Sequence, residues 1–170
     1  MENSRISNVS AASAEWHSED FIYKSVVNYL KENGYKVQKE AGLKEENEKV
    51  ERVINATKFL KKEVIEVKGF PHYYFPAATQ PVPAKSTFSK SWFIQGLFDS
   101  FMNFNLVENA EVAMAAPNVS RYQAIIKELN HYFSVNDLYF RIYLVNEDGS
   151  VEVSNLNSRH SEPQPVLKGE

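Results

Sequence analysis

The spacing of apolar residues along the chain changes character several times, and each change predicts an element. Phe21, Ile22, Val26, Tyr29 and Leu30 recur at three- and four-residue intervals, the period of one helix face. Ser18 is placed to cap that helix, Glu19 and Asp20 complement its dipole, and Asn33-Gly34 ends it. Residues 35–39 alternate and predict a short strand, and the charged stretch 41–49 reads as surface loop or a poor helical turn. Two further strands follow over 50–58 and 63–69, with residues 59–62 as a hairpin connection.

Phe70, Tyr73, Tyr74 and Phe75 then stand among Pro71, Pro76, Pro81 and Pro83, and that many prolines in sixteen residues forbid a regular element. A second helix is predicted over 87–104, with Trp92, Phe93, Leu97, Phe98, Phe101 and Met102 as a broad apolar stripe read as core. Part of that width is left for a homodimer interface. Small apolar residues over 111–116 predict a strand ending at Pro117-Asn118. A third helix follows over 119–133, carried by Tyr122, Ile125, Ile126 and Leu129. Residues 138–146 alternate strongly, and Asp148-Gly149 turns them into a short partner over 151–153.

The order α-β-(β-β)-loop-α-β-α-β-β combines an antiparallel hairpin with a parallel β-α-β crossover. It predicts an α/β fold with a mixed central sheet flanked by helices. One domain over 16–153 is expected, between a flexible lead-in (1–15) and a disordered Asn/Ser/Pro-rich tail (154–170).

Composition narrows the chemistry. The chain has 170 residues with 43% hydrophobic and 24% charged, and no run approaches a membrane-spanning length. Met1-Glu-Asn-Ser-Arg shows no basic segment leading into an apolar core, so the reading is a cytoplasmic protein that does not engage a membrane. Zero Cys excludes disulfides, thiolate metal sites and thiol nucleophiles. The net charge of −3 argues against a globally basic nucleic-acid coat. Residues 58–90 nevertheless carry six lysines against Glu63 and Glu66, a local +4 on an acidic remainder. Such a stripe attracts phosphates locally.

The residues with most to say are Glu66-Val67-Lys68-Gly69. Residues two apart on a strand share a face, so Glu66 and Lys68 project together. A carboxylate supplies an oxygen ligand to a hard cation, and an adjacent lysine can orient or deprotonate a water or stabilise charge on a phosphate. By itself the pair also fits the solvent side of an edge strand. Together with the element order, however, the Ile65-Glu66-Val67-Lys68-Gly69 strand resembles the PD-(D/E)XK nuclease superfamily over 16–153.

That resemblance implies a restriction-endonuclease-like fold and hydrolysis of phosphodiester bonds, here of DNA, with Mg²⁺ or Mn²⁺. Glu66 would be a metal-binding acid, Lys68 the signature lysine beside the attacking water, and the Val67 carbonyl a further oxygen ligand. Glu19, with Asp20 as rival, matches a helix acid that many members bring to the site. The family's first acid, usually Asp, belongs on the preceding strand, which reads Glu51-Arg-Val-Ile-Asn-Ala-Thr-Lys58 and has none. Asn55 or Glu51 is left for the position. Asn offers a dipole where a charge is wanted, so a degenerate relative that binds nucleic acid or a protein partner is the alternative.

Lys58, Lys61 and Lys62 flank the hairpin turn and read either as phosphate contacts beside the metal site or as ordinary turn lysines. Lys85, Ser89 and Lys90 can bind a phosphate at the second helix's start or form a polar first turn. Tyr73, Tyr74 and Phe75 either stack on bases or fold onto the core as a lid. Some members of the superfamily that the chain resembles carry a glutamine motif on the second helix, for which Gln95 is the one candidate. His17, His72, His131 and His160 show no metal-ligand spacing, and no glycine-rich phosphate loop or nucleophile elbow is present.

Overall fold

The structure is a computed structural model and describes residues 16–38, 52–69, 87–102 and 109–157. The lead-in, the loop 41–49, Glu51, Lys85, His72, His160, the aromatic loop residues Tyr73, Tyr74 and Phe75, and the tail beyond 157 lie outside the described residues.

The elements run α1 (Glu19–Glu32), β1 (Lys36–Val37), β2 (Arg52–Lys58), β3 (Lys61–Val67), α2 (Thr87–Met102), β4 (Ala110–Pro117), α3 (Ser120–Val135), β5 (Phe140–Val145) and β6 (Val151–Leu156). The six strands form one sheet in sequence order. β1, β2 and β3 pair antiparallel, β3, β4 and β5 parallel, and β5 and β6 antiparallel. The predicted mixed sheet flanked by helices is therefore present. No helix among the described residues is long and apolar enough to cross a membrane.

Each face of the sheet has its own core. α1 buries Ile22, Val26 and Leu30 against Ile54, Ala56, Ile65, Val67, Ala113, Ala115, Tyr143 and Val145. Its start is as expected, with the Phe21 amide donating to Ser18 Oγ at 3.2 Å. The two crossover helices share the other face, where Phe93 of α2 and Tyr122, Ile125, Ile126 and Phe133 of α3 pack on Val112, Met114, Ala116, Phe140, Ile142, Leu144 and Leu156. Residues i and i+2 on each strand thus serve one core and i+1 the other.

Three expectations need correction. The β2–β3 turn has only two residues, Phe59 and Leu60, because Lys58 pairs with Lys61 and Thr57 with Lys62. Charged side chains at an exposed sheet end leave no burial pattern to betray that pairing. β6 runs on through Ser154 and Asn155 to Leu156, which is fully buried, so the tail begins later than its polar composition suggested. The aromatic stripe of α2 is core only in part. Phe93, Gly96 and Ser100 face inward and Trp92 and Leu97 are half-buried, whereas Ile94, Phe98, Phe101 and Met102 are exposed. The helix carries apolar residues on more of its circumference than one sheet can cover.

Candidate functional site

β3 divides its side chains between the two faces. Glu63, Ile65 and Val67 look toward α1, and Val64, Glu66 and Lys68 toward α2. The second set shares its face with Val53, directly opposite Glu66 on β2, with Asn55, opposite Val64, and with Met114, beside Glu66 on β4. Glu66 and Lys68 therefore sit together near the C-terminal end of β3, where the sheet changes from antiparallel to parallel pairing. Lys68 extends the ladder by one bond, its amide donating to the Ala115 carbonyl at 2.9 Å.

α2 lies close over this point because Gly96 allows it. A Cβ at position 96 would stand 2.7 Å from Lys68 Cγ and 2.8 Å from Met114 Sδ. One turn further on, the Ser100 hydroxyl donates back to the Gly96 carbonyl at 2.7 Å. This close approach carries Asp99 to the site. Lys68 Nζ lies 2.9 Å from Asp99 Oδ2 and 3.0 Å from Glu66 Oε1, so one ammonium joins two carboxylates from two elements. The Glu66 side chain is wholly buried, while 14% of the Lys68 and 24% of the Asp99 side chain remain open to solvent.

Burial alone would push the Lys68 pKa down, but Asp99 and Glu66 outweigh it and hold the amine above the ordinary lysine range. Lys68 is thus a fixed positive charge at neutral pH, suited to stabilising an anion. Of the roles its sequence left open, deprotonating a water is the one this environment disfavours.

The other sequence candidates distribute as follows. Asn55 shares the face of Glu66, and its Oδ1 is buried without a hydrogen-bond partner among the described residues. Val67 has its side chain in the α1 core. Glu19 reaches the end of β3 from the α1 side, since a Cβ on Gly69 would meet the Glu19 amide nitrogen and the His17 carbonyl, each at 2.5 Å. Asp20, one residue on, is exposed. His17 is buried, which lowers its pKa to about 4. Gln95 and Lys90 are exposed on α2 and His131 on α3. Lys58, Lys61 and Lys62 do not flank the Glu66–Lys68 pair. They stand at the opposite end of the hairpin, four to seven residues along β3 from the pair, about 13–23 Å at about 3.3 Å per strand residue.

Reading the sequence missed Asp99. Its signal is the one acid of α2, set between Phe98 and Ser100 and three residues after a mid-helix glycine that permits close packing. A second missed cluster lies at the other end of the sheet, on the α1 face. Arg141 reaches from β5 across β4 to Glu63, Nη1 to Oε2 at 3.0 Å, and the Tyr143 hydroxyl donates to the same oxygen at 2.9 Å. Arg141 also donates to Asn155 Oδ1 at 3.0 Å and to the Tyr139 hydroxyl at 2.6 Å. Glu63 Oε1 has no hydrogen-bond partner among the described residues, and desolvation raises the Glu63 pKa despite Arg141 and Tyr143. Every group here is turned to another within the fold, so this network ties β3, β5 and β6 together.

Whether a divalent ion suits the Glu66 site turns on its donors. Two carboxylates converge within about 3 Å of one nitrogen, which defines a single cation-sized position between them. Mg²⁺ commonly takes only one or two carboxylates and completes its shell with water and phosphate. The pair fits that pattern, provided the ammonium yields the position. Among the described residues no group of three or more His, Cys, Asp or Glu gathers to hold a metal. No protein family, curated protein or solved structure matches the chain.

Proposed function

We propose that the protein is a divalent-metal-dependent phosphodiester hydrolase of the PD-(D/E)XK type, acting on DNA. The observation that carries this reading is the double contact of Lys68, a mostly covered ammonium held between the carboxylates of Glu66 and Asp99 at the end of β3. The restriction-endonuclease-like order is a second support: helix, three antiparallel strands, a helix on the opposite face and a strand parallel to the third.

In this reading Glu66 and Asp99 would hold Mg²⁺ or Mn²⁺, with the Val67 carbonyl, Glu19, Asn55 and Glu51 as further candidates from the resemblance. The bound metal would supply an acidified water and neutralise charge on the phosphoryl group. Lys68 keeps its proton and lies where negative charge gathers on the phosphate oxygens, which is electrostatic stabilisation of the transition state. The test is incubation with supercoiled plasmid and with single-stranded DNA in Mn²⁺ or Mg²⁺, beside an EDTA control. Metal-dependent nicking that Lys68→Ala abolishes is expected. No cleavage, or cleavage untouched by that substitution, removes the enzymatic reading.

A second reading keeps the nucleic acid and drops the chemistry. It is favoured by β2, which presents Val53 opposite Glu66 and then Asn55, with no carboxylate on that face. It predicts DNA binding that weakens with salt and no hydrolysis in any divalent metal.

A further inference from the structure

We infer that the tip of the β2–β3 hairpin is a wedge for duplex DNA, with Phe59 and Leu60 entering at a base step and Lys58, Lys61 and Lys62 on the flanking phosphates. The inference rests on the nucleic-acid part of the function proposed above and is independent of hydrolysis.

Phe59 is 92% and Leu60 98% exposed, the two barest large apolar residues among those described. Phe59 also adopts a left-handed backbone, φ 54°. Glycine or asparagine ordinarily fills such a turn position, and a bulky side chain there is an outlier. The chain thus places two apolar side chains at a strained apex where neither contributes appreciable burial to the fold. Strain of this kind persists only where the surroundings enforce it. Here they do: β1 pairs with β2 as far as Thr57, and β4 pairs with β3 from Lys62. Among the described residues only 58–61 stand beyond their paired neighbours, so the tip is short and rigidly based.

The surroundings of the apex are basic. Lys61 and Lys62 are exposed, Lys58 lies with Nζ 5.2 Å over the Tyr35 ring, and Lys36 is exposed beside Thr57. Among the described residues Glu111, 3.8 Å from Lys61 Nζ, is the acid that faces them, while Glu63 is buried and turned to Arg141. An apolar pair ringed by lysines has the chemistry of side chains that part a base step while cations grip the backbone on either side. Four projecting residues are too few to lie in a groove as a reading ribbon, but two side chains suffice for a wedge.

A lipid surface is the poorer fit. Even a whole myristoyl chain gives only marginal membrane binding, with an association constant of about 10⁴ M⁻¹, and two side chains bury less apolar surface. From Lys61 to Lys68 the hairpin spans about 23 Å at about 3.3 Å per residue. That is about seven base pairs at 3.4 Å each, so tip and Glu66 site stand no farther apart than the length of a short duplex.

The experiment is fluorescence anisotropy of the full chain with a labelled 20-base-pair duplex, in EDTA and at low salt, so that no hydrolysis intrudes. A second duplex carries 2-aminopurine to report unstacking, and phosphatidylserine vesicles run in parallel. Binding with a rise in 2-aminopurine emission is expected. Phe59→Ser with Leu60→Ser should weaken binding at least tenfold, abolish that rise and leave the melting temperature of these exposed positions near the parent value. Neutralising Lys58, Lys61 and Lys62 to Gln should reduce the slope of log K against log salt by up to about 2.7, and Lys127→Gln, at an exposed position of α3, should leave binding intact. Absence of duplex binding, unchanged affinity in the double serine variant, or tip-dependent binding to vesicles but not to DNA each overturns the inference. Tip-dependent binding without cleavage in metal would remove only the hydrolase.

Discussion

Replacing Lys68 by Met keeps the stem that packs beneath Gly96 and removes the charge that joins Glu66 to Asp99. Two contacts are lost, at 3.0 and 2.9 Å, and a carboxylate with no solvent exposure is left facing a second one. A hydrogen bond to a charged group contributes about 1.5–3 kcal/mol, and breaking a buried pair by removing one partner costs about 3–5 kcal/mol. Asp99 is partly open to water and recovers some solvation, which places the expected loss near the lower end, about 3 kcal/mol. Urea unfolding followed by circular dichroism at pH 7 measures it. With a slope of about 2 kcal/mol per molar urea, the midpoint should fall by about 1.5 M. A triple variant, Glu66→Gln, Lys68→Met and Asp99→Asn, leaves no unpaired charge and should regain most of the loss. A midpoint shift below about 0.5 M in Lys68→Met, or a triple variant no better than the single, would show that the ammonium is solvated and the convergence of the three groups energetically empty.

Other outcomes follow from single positions. Gly69→Ala would put a Cβ 2.5 Å from two backbone atoms, the Glu19 nitrogen that opens α1 and the His17 carbonyl just before it, and neither can rotate away. Helix and strand must separate, and a loss of about 3 kcal/mol or more is expected in the same urea assay. Phe59→Gly relieves the left-handed backbone at an exposed turn and should raise stability by about 0.5–1 kcal/mol, seen as a small rise in melting temperature. Glu63 has a folded pKa raised chiefly by burial, so its stabilising contribution is full below the unfolded value of about 4.3 and is lost as pH climbs through the folded pKa. Melting temperatures of the parent and Glu63→Gln from pH 4.5 to 8 should therefore shift in favour of the variant as pH rises. A gap that stays constant or moves the other way would refute that assignment.

The sequence carried the order of elements because period and punctuation agreed: Ser18 and Asn33-Gly34 bracket α1, and β5 alternates between two cores. It carried the Glu66–Lys68 pair because i and i+2 on a strand need no tertiary knowledge to be neighbours. Asp99 lies thirty-one residues beyond Lys68 in the chain, and only the packing of Gly96 on Lys68 and Met114 brings it in. Arg141 sent a signal of the same sort, a charged residue in a strand otherwise apolar from Phe140 to Val145, which demands a buried acid without saying which. The two-residue turn and the extra length of β6 were hidden by polar side chains at the sheet's margins, where pairing continues but burial does not.

The measurement closest to the heart of this account is a Mn²⁺ titration of the full chain followed by electron paramagnetic resonance, with Glu66→Gln, Asp99→Asn and Lys68→Met beside it. Glu66 and Asp99 are held to define one cation position that the Lys68 ammonium contests. About one bound ion per chain is expected, with at least tenfold weaker binding in the Gln and Asn variants and tighter binding in Lys68→Met. Free Mn²⁺ throughout, or binding indifferent to both carboxylates, would contradict it.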